Sequence, residues 1–150
     1  MTKILFVCLG NICRSPMAEY VLKDLANKKG IENQLLVDSA GTSNEEEGNG
    51  IHYGTQKKLR EKGIKYGNHK ARRMTKQDYS KYDYIIAMEE NNVRNILRIV
   101  GSDKESKVYR LLDFSSNPRD IADPWYTGNF DKTYDDILEG CEEFLKFIMK

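Results

Sequence analysis

Four short apolar runs, at residues 4–7, 35–37, 84–88 and 108–112, punctuate a chain of 150 residues. Each is nearly continuous rather than alternating, the pattern of a strand covered on both faces and hence of a parallel sheet. Stretches with helical spacing separate them. After Ser15-Pro16, the residues Met17, Ala18, Val21, Leu22, Leu25 and Ala26 share one helical face. Ser15 reads as the N-cap, Pro16 as the first helical residue and Gly30 as the stop. Further helices are expected over residues 54–62, over 89–100 and over 134–149. A capping box at Thr75–Asp78 announces a short helix ending near Lys81. Strands alternating with helices predict one α/β domain over residues 1–150. Its four-stranded parallel sheet is flanked by helices on both faces, with right-handed crossovers.

Composition narrows the function. Lys plus Arg number 24 and Asp plus Glu 23, so the net charge is +1. A protein that grips nucleic acid or a membrane surface through bulk charge carries a larger imbalance. The first apolar run is too short for a secretory signal, and no stretch approaches the ~20 apolar residues of a membrane span. A cytoplasmic chain is expected. Its oligomeric state is open, with a monomer the simplest expectation. Three cysteines, Cys8, Cys13 and Cys141, are too few for a disulfide scaffold. The two histidines show no ligand spacing with the cysteines, so neither a metal nor any other cofactor is expected.

Two of those cysteines lie where a strand hands over to a helix. Val7 is followed by Cys8-Leu9-Gly10-Asn11-Ile12-Cys13-Arg14-Ser15-Pro16. Ligands of doubly wound sheets bind beyond the carboxyl ends of strands. A loop running into a helix N-terminus can curl its N–H groups inward as an anion nest. Gly10 permits close approach, and Asn11 tolerates a left-handed conformation. Cys8 stands at the floor of this nest, where inward amides and a cation favour thiolate over thiol. Arg14 presents a planar fork able to hold two phosphate oxygens at once. Leu9, Gly10, Asn11, Ile12, Cys13, Arg14 and Ser15 thus form a candidate phosphate cradle. The chemistry that fits is phosphoryl transfer to sulfur through a phosphocysteine. The plainer reading of Cys8 is a buried strand-end thiol. The same curl is expected to bring Cys13 near Cys8, so that mild oxidation forms a reversible bridge between them; otherwise Cys13 packs beneath the loop.

The segment from Val7 to Pro16 closely resembles the phosphate loop of the low-molecular-weight protein tyrosine phosphatases. The likeness extends along nearly the whole chain. Asp38-Ser39-Ala40-Gly41-Thr42, His69-Lys70-Ala71-Arg72 and Asp83-Tyr84-Ile85-Ile86 match in kind and order, and Ala122-Asp123-Pro124-Trp125-Tyr126 resembles the general-acid loop. The resemblance implies Cys8 as nucleophile, Arg14 as phosphate clamp and Ser15 as the hydroxyl that stabilises the leaving thiolate. It implies Asp123 as the acid for the tyrosine oxygen and as base toward water. Asn11, Ser15, Ser39 and His69 then form a supporting network, and phosphotyrosine proteins are the substrates. The residues agree on Asp123: a phenolate leaving group gains from a proton, and Pro124 biases Asp123 to an extended conformation. Alone, Asp-Pro is an ordinary turn. Trp125 and Tyr126, with Ile12, can wall a slot for an aromatic ring, though Trp and Tyr also serve as loop anchors.

Three rivals share parts of this pattern. A thioredoxin-linked arsenate reductase needs further cysteines after the third strand, and residues 82–92 have none. The related protein-arginine phosphatases carry Thr at Ile12. A phosphotyrosine-binding module without activity has no use for Cys8, Arg14 and Asp123 together. A P-loop nucleotide enzyme is excluded, since Gly-x-x-x-x-Gly-Lys-Ser/Thr is absent. Two positions depart from the resemblance. Glu45 stands where an aromatic is usual, and Glu89 where Asp is usual. Glu45, Glu46 and Glu47 occupy the loop that, by the resemblance, borders the slot; one to three of them at its mouth would repel acidic substrates, or else the loop is mobile and its acids only aid solubility.

Overall fold

The computed structural model covers residues 1–150 and puts the first apolar run at the centre of the sheet. β1 (Thr2–Cys8) lies between β2 (Leu35–Gly41) and β3 (Tyr84–Ala87), with β4 (Val108–Arg110) at one edge, in the order β2-β1-β3-β4. Every pair is parallel, with Cys8 opposite Gly41 and Val7 opposite Ala87. Successive side chains of a strand point to opposite faces. Ile4 and Phe6 therefore enter a large core with Met17, Leu22, Ile137 and Phe144, while Leu5 and Val7 enter a smaller one with Ala40, Tyr82, Ile96 and Val100. Both faces are covered, which is why the run reads as continuous. Trimming Phe6, which has no exposed surface, to Ala is expected to cost about 3–5 kcal/mol.

The large core is roofed by α1 (Arg14–Lys28) and α6 (Phe130–Ile148), with α2 (Tyr53–Glu61) against both. α3 (Asp78–Lys81) and α4 (Glu90–Val100) precede and follow β3. The four expected strands and five expected helices are all present, with shifted ends. β2 continues to Gly41 because polar Asp38 and Ser39 still pair with Leu5 and Phe6. β4 stops at Arg110, where Asp113 accepts from the Arg110 N–H at 2.8 Å and from its Nε at 3.0 Å, turning the chain into a 3-10 turn over Leu111–Phe114. α6 starts at Phe130, ahead of its apolar stripe, because Asn129 accepts from the Lys132 N–H at 3.0 Å. Gly30 follows α1 with φ 70°, as its role as a stop requires. No helix is long and apolar enough to cross a membrane.

One expectation at α1 is corrected. Arg14 is already the first helical residue, Cys13 occupies the cap position without a side-chain cap bond, and Pro16 is third in the helix. The first four helical N–H groups lack partners within the helix, so proline is tolerated there too. Ser15 is thereby released from capping, and its hydroxyl turns toward Cys8. The strand order reverses about β1, whose neighbours β2 and β3 are reached by opposite crossovers. The segment after Cys8 lies at this switch point, the expected position of a ligand site.

Candidate active site

The loop between β1 and α1 is shaped from outside. The carbonyls of Cys8, Leu9 and Ile12 accept from the N–H groups of Thr42, Ser43 and His52 at 2.9, 3.0 and 2.8 Å. With carbonyls drawn outward, the Asn11 amide is left facing the Cys8 Sγ, at 3.3 Å. Asn11 adopts φ 61°, the left-handed conformation anticipated for it. Gly41 makes the tight approach possible, since a Cβ there would stand 2.7 Å from the Leu9 oxygen.

Asn11 is fully buried and joins the expected supporting residues in one network. Its amide donates to Ser15 Oγ at 2.8 Å and to Ser39 Oγ at 3.1 Å. Its Oδ1 accepts from the Arg72 N–H at 3.0 Å and meets His69 Nε2 at 3.1 Å. Ser15 Oγ lies 3.0 Å from Cys8 Sγ. Ser39 in turn donates to Glu19 at 2.6 Å, and Glu19 lies 3.9 Å from His69 Nδ1. Glu19 carries no signal in the sequence, and Arg72 stands out there only as the end of the His69–Arg72 match. Glu19 reads there as an ordinary polar residue of α1, yet it is 4% exposed.

Arg14 is 1% exposed and held from three sides. Nη1 donates to the Ile121 carbonyl at 2.8 Å and lies 3.2 Å from Glu89, while Nη2 is 3.4 Å from Asp123. Burial alone would lower the guanidinium, but the facing Cys8, Asp123 and Glu89 outweigh it and push it up. The departure at Glu89 therefore falls on Arg14 itself, which the longer side chain still reaches.

Asp123 caps α5 (Pro124–Thr127), accepting from the Trp125 N–H at 3.0 Å with Pro124 in first position. The Asp-Pro pair thus starts a one-turn helix that its apolar pattern is too short to announce. Trp125 and Tyr126 are 56% and 77% exposed and stand at the mouth of a pocket of about 120 Å³. Cys8, Leu9, Gly10, Cys13 and Arg14 line it from below, Ile12 lines its side, and Ser43, Glu45, Glu46 and Asp123 complete the lining. Glu47 does not reach the slot; it faces a separate groove beside Arg73 and Lys76. The acidic rim is therefore two residues, Glu45 and Glu46, within the expected one to three. Cys13 reaches the pocket and also packs with Ile12 and Ala71. Burial, aided by Cys8 and Asp123, pushes its thiol up to about 12. Cys141, on α6, is fully buried and donates toward the Ala18 carbonyl, away from this site.

A cysteine under a nest, clamped by one arginine and faced by one carboxyl, defines the class of cysteine-dependent phosphatases. The family model for low molecular weight phosphotyrosine protein phosphatase matches residues 3–150, and the chain belongs to that family. It is 46% identical to the low molecular weight protein-tyrosine-phosphatase YfkJ of Bacillus subtilis, over 100% of this chain and 97% of that protein. The crystal structure of YfkJ superimposes with a TM-score of 0.96, covering 99% of this chain and 95% of that one. That of SP-PTP, a low molecular weight protein tyrosine phosphatase from Streptococcus pyogenes, gives 0.90 at 38% identity, covering 100% of this chain and 95% of that one.

Proposed function

We propose that this protein hydrolyses phosphotyrosine in proteins, and small aryl phosphates, with Cys8 as nucleophile. The observation that carries the assignment is the position of Cys8 Sγ. It sits at the pocket floor, 3.0 Å from the Ser15 hydroxyl and 3.3 Å from the Asn11 amide, beneath the Arg14–Asp123 pair. The phosphate enters the cradle of residues 9–15 and Arg14 takes two of its oxygens. Cys8 sulfur attacks phosphorus as the bond to the tyrosine oxygen breaks, and Asp123 gives that oxygen its proton. The phosphocysteine is then opened by water. Asp123 takes the proton of the attacking water, inorganic phosphate forms, and the departing sulfur is received by the Ser15 hydroxyl and the Asn11 amide. Donors fixed in place before the reaction need no rearrangement as charge develops, which makes them effective.

Ile12, Trp125 and Tyr126 give the slot apolar walls suited to a phenyl ring. A phosphoserine side chain is too short to bring its phosphate to the floor while the peptide stays outside. The apolar Ile12 favours tyrosine over arginine phosphates. The test is Cys8→Ser, which is expected to abolish turnover of an aryl phosphate while phosphate or vanadate still binds. Appreciable turnover by this variant would overturn the assignment.

A further inference from the structure

His52 stands outside the chemistry just described, yet it touches the slot from two directions. Its N–H donates to the Ile12 carbonyl at 2.8 Å, tying it to the phosphate cradle. Its Nδ1 accepts from the Gly54 N–H at 2.9 Å and so caps α2. With Nδ1 accepting, the neutral ring carries its proton on Nε2. This cap fixes the ring plane. One face of the ring stacks on Phe130, with centroids 5.3 Å apart and planes 20° from parallel. Its other contact is edge-on to Trp125, at 5.6 Å and 77°. Gly54 makes room for this arrangement, since a Cβ there would stand 2.3 Å from the Phe130 ring. Phe130 itself packs on Ile12, Cys13 and Ala71.

Trp125 is more than half exposed and sits on the one-turn helix capped by Asp123. Such a ring needs lateral support to keep one orientation, and His52 supplies an aromatic contact backed by Phe130. We propose that His52 is a positioning residue that holds Trp125 as the wall of the substrate slot, and so sets affinity for the aromatic part of the substrate. The inference rests on the phosphatase reading and extends it to a residue that touches neither phosphate nor the reacting atoms.

The test separates the cap from the ring. Asn at this position can still accept from the Gly54 N–H but has no ring, whereas Phe keeps a ring and loses the cap. Trp125 is the only tryptophan, so its fluorescence reports directly on the wall. His52→Asn is expected to lower Trp125 anisotropy and to increase its quenching by acrylamide. It is expected to raise KM for an aryl phosphate about three- to tenfold, the range of a lost aromatic pair, with kcat changed less than about twofold. The inhibition constant of inorganic phosphate, which does not reach the wall, stays as in the wild type. His52→Phe is expected to restore most of the Trp125 restraint and of the KM. Unchanged Trp125 quenching in His52→Asn overturns the proposal. So does an equal rise in KM for the aryl phosphate and in the inhibition constant of phosphate, which marks general damage to the cradle. A wild-type protein without aryl phosphatase activity would overturn the phosphatase reading instead, and Trp125 fluorescence would still decide whether His52 holds the ring.

Discussion

Replacing Asn11 with Ala tests whether the cradle is built before substrate arrives. The substitution removes donors to Ser15 and Ser39 and the acceptor used by Arg72 and His69. The consequences are unequal. Ser39 keeps Glu19, Ser15 keeps the Ala40 carbonyl at 3.4 Å, and His69 keeps the Asn11 carbonyl at 3.3 Å. The Arg72 N–H has no other partner and is orphaned, at about 1–3 kcal/mol; the other lost bonds add about 1 kcal/mol each at most. Alanine at φ 61° adds about 1 kcal/mol of backbone strain, which Asn tolerates better. The sum is about 3–5 kcal/mol. For a chain of this size that lowers Tm by roughly 10 °C. Asn11→Gly loses the same bonds without the Cβ, so it is expected to be about 1 kcal/mol more stable than Asn11→Ala. Asn11→Asp keeps the acceptor but sets an anion against the Ser15 hydroxyl that faces Cys8, so it is expected to keep more stability than activity. Urea unfolding followed by circular dichroism, with kcat for an aryl phosphate, reads all three. An Asn11→Ala protein within about 1 kcal/mol of wild type, or more stable than Asn11→Gly, would refute the reasoning.

Further outcomes follow from the same geometry. Asp123→Asn is expected to slow aryl phosphates with basic leaving groups by about 10²–10⁴-fold and activated ones far less, because an acidic phenol hardly needs the proton; equal losses in a leaving-group series count against the acid role. Cys13 is expected to shield Cys8 from irreversible oxidation by forming a bridge after mild peroxide. Since burial holds the Cys13 thiol at about 12, closure at neutral pH is slow and quickens as pH rises toward that value. Full recovery of Cys13→Ser after peroxide and reductant would dismiss the protection. Glu45 and Glu46 at the mouth are expected to favour phosphotyrosine peptides with nearby Lys or Arg, an effect that fades with salt because charges are screened over ~8 Å. Equal kcat/KM for basic- and acidic-flanked peptides at low salt would exclude it. Glu45→Trp is expected to shrink the preference and lower KM for small aryl phosphates.

The layered fold was legible because burial on both faces leaves a direct trace. Ile4 to Val7 are apolar without alternation since each face of β1 meets a core. Where a strand carries buried polar groups that trace fails. Ser39 belongs to β2, but its hydroxyl is occupied by Glu19 and Asn11, and no local pattern announces that partnership. Ser15 carries two readings in the sequence, a cap by its place before Pro16 and a site hydroxyl by the family resemblance, and its hydroxyl lies 3.0 Å from the Cys8 sulfur, as the second requires. The cradle was readable because its parts lie within nine residues. His52 was not, because its stacking partners Trp125 and Phe130 lie more than seventy positions away and its own cap bond is to a backbone N–H.

Arg14 shows what such distant contacts accomplish. Its three partners come from Glu89, after β3, and from Ile121 and Asp123, before α5. They are not equivalent. The Ile121 carbonyl at 2.8 Å belongs to backbone that is itself fixed, its N–H donating to the Met88 carbonyl at 2.9 Å. Glu89 lies on the residue next to Met88 and meets Nη1 at 3.2 Å. One end of the guanidinium is therefore anchored to the sheet. The Nη2 end is shared between Asp123 at 3.4 Å and the second Glu89 oxygen at 3.5 Å. A cation this deeply buried is costly to leave unpaired, and the Ile121 and Glu89 contacts keep it compensated in the proposed step where Asp123 turns to a substrate oxygen. In the proposed mechanism Arg14 then holds phosphate while Asp123 serves as the acid. Replacing Glu89 with Gln, which keeps the reach but not the charge, is expected to weaken phosphate binding less than it destabilises the fold.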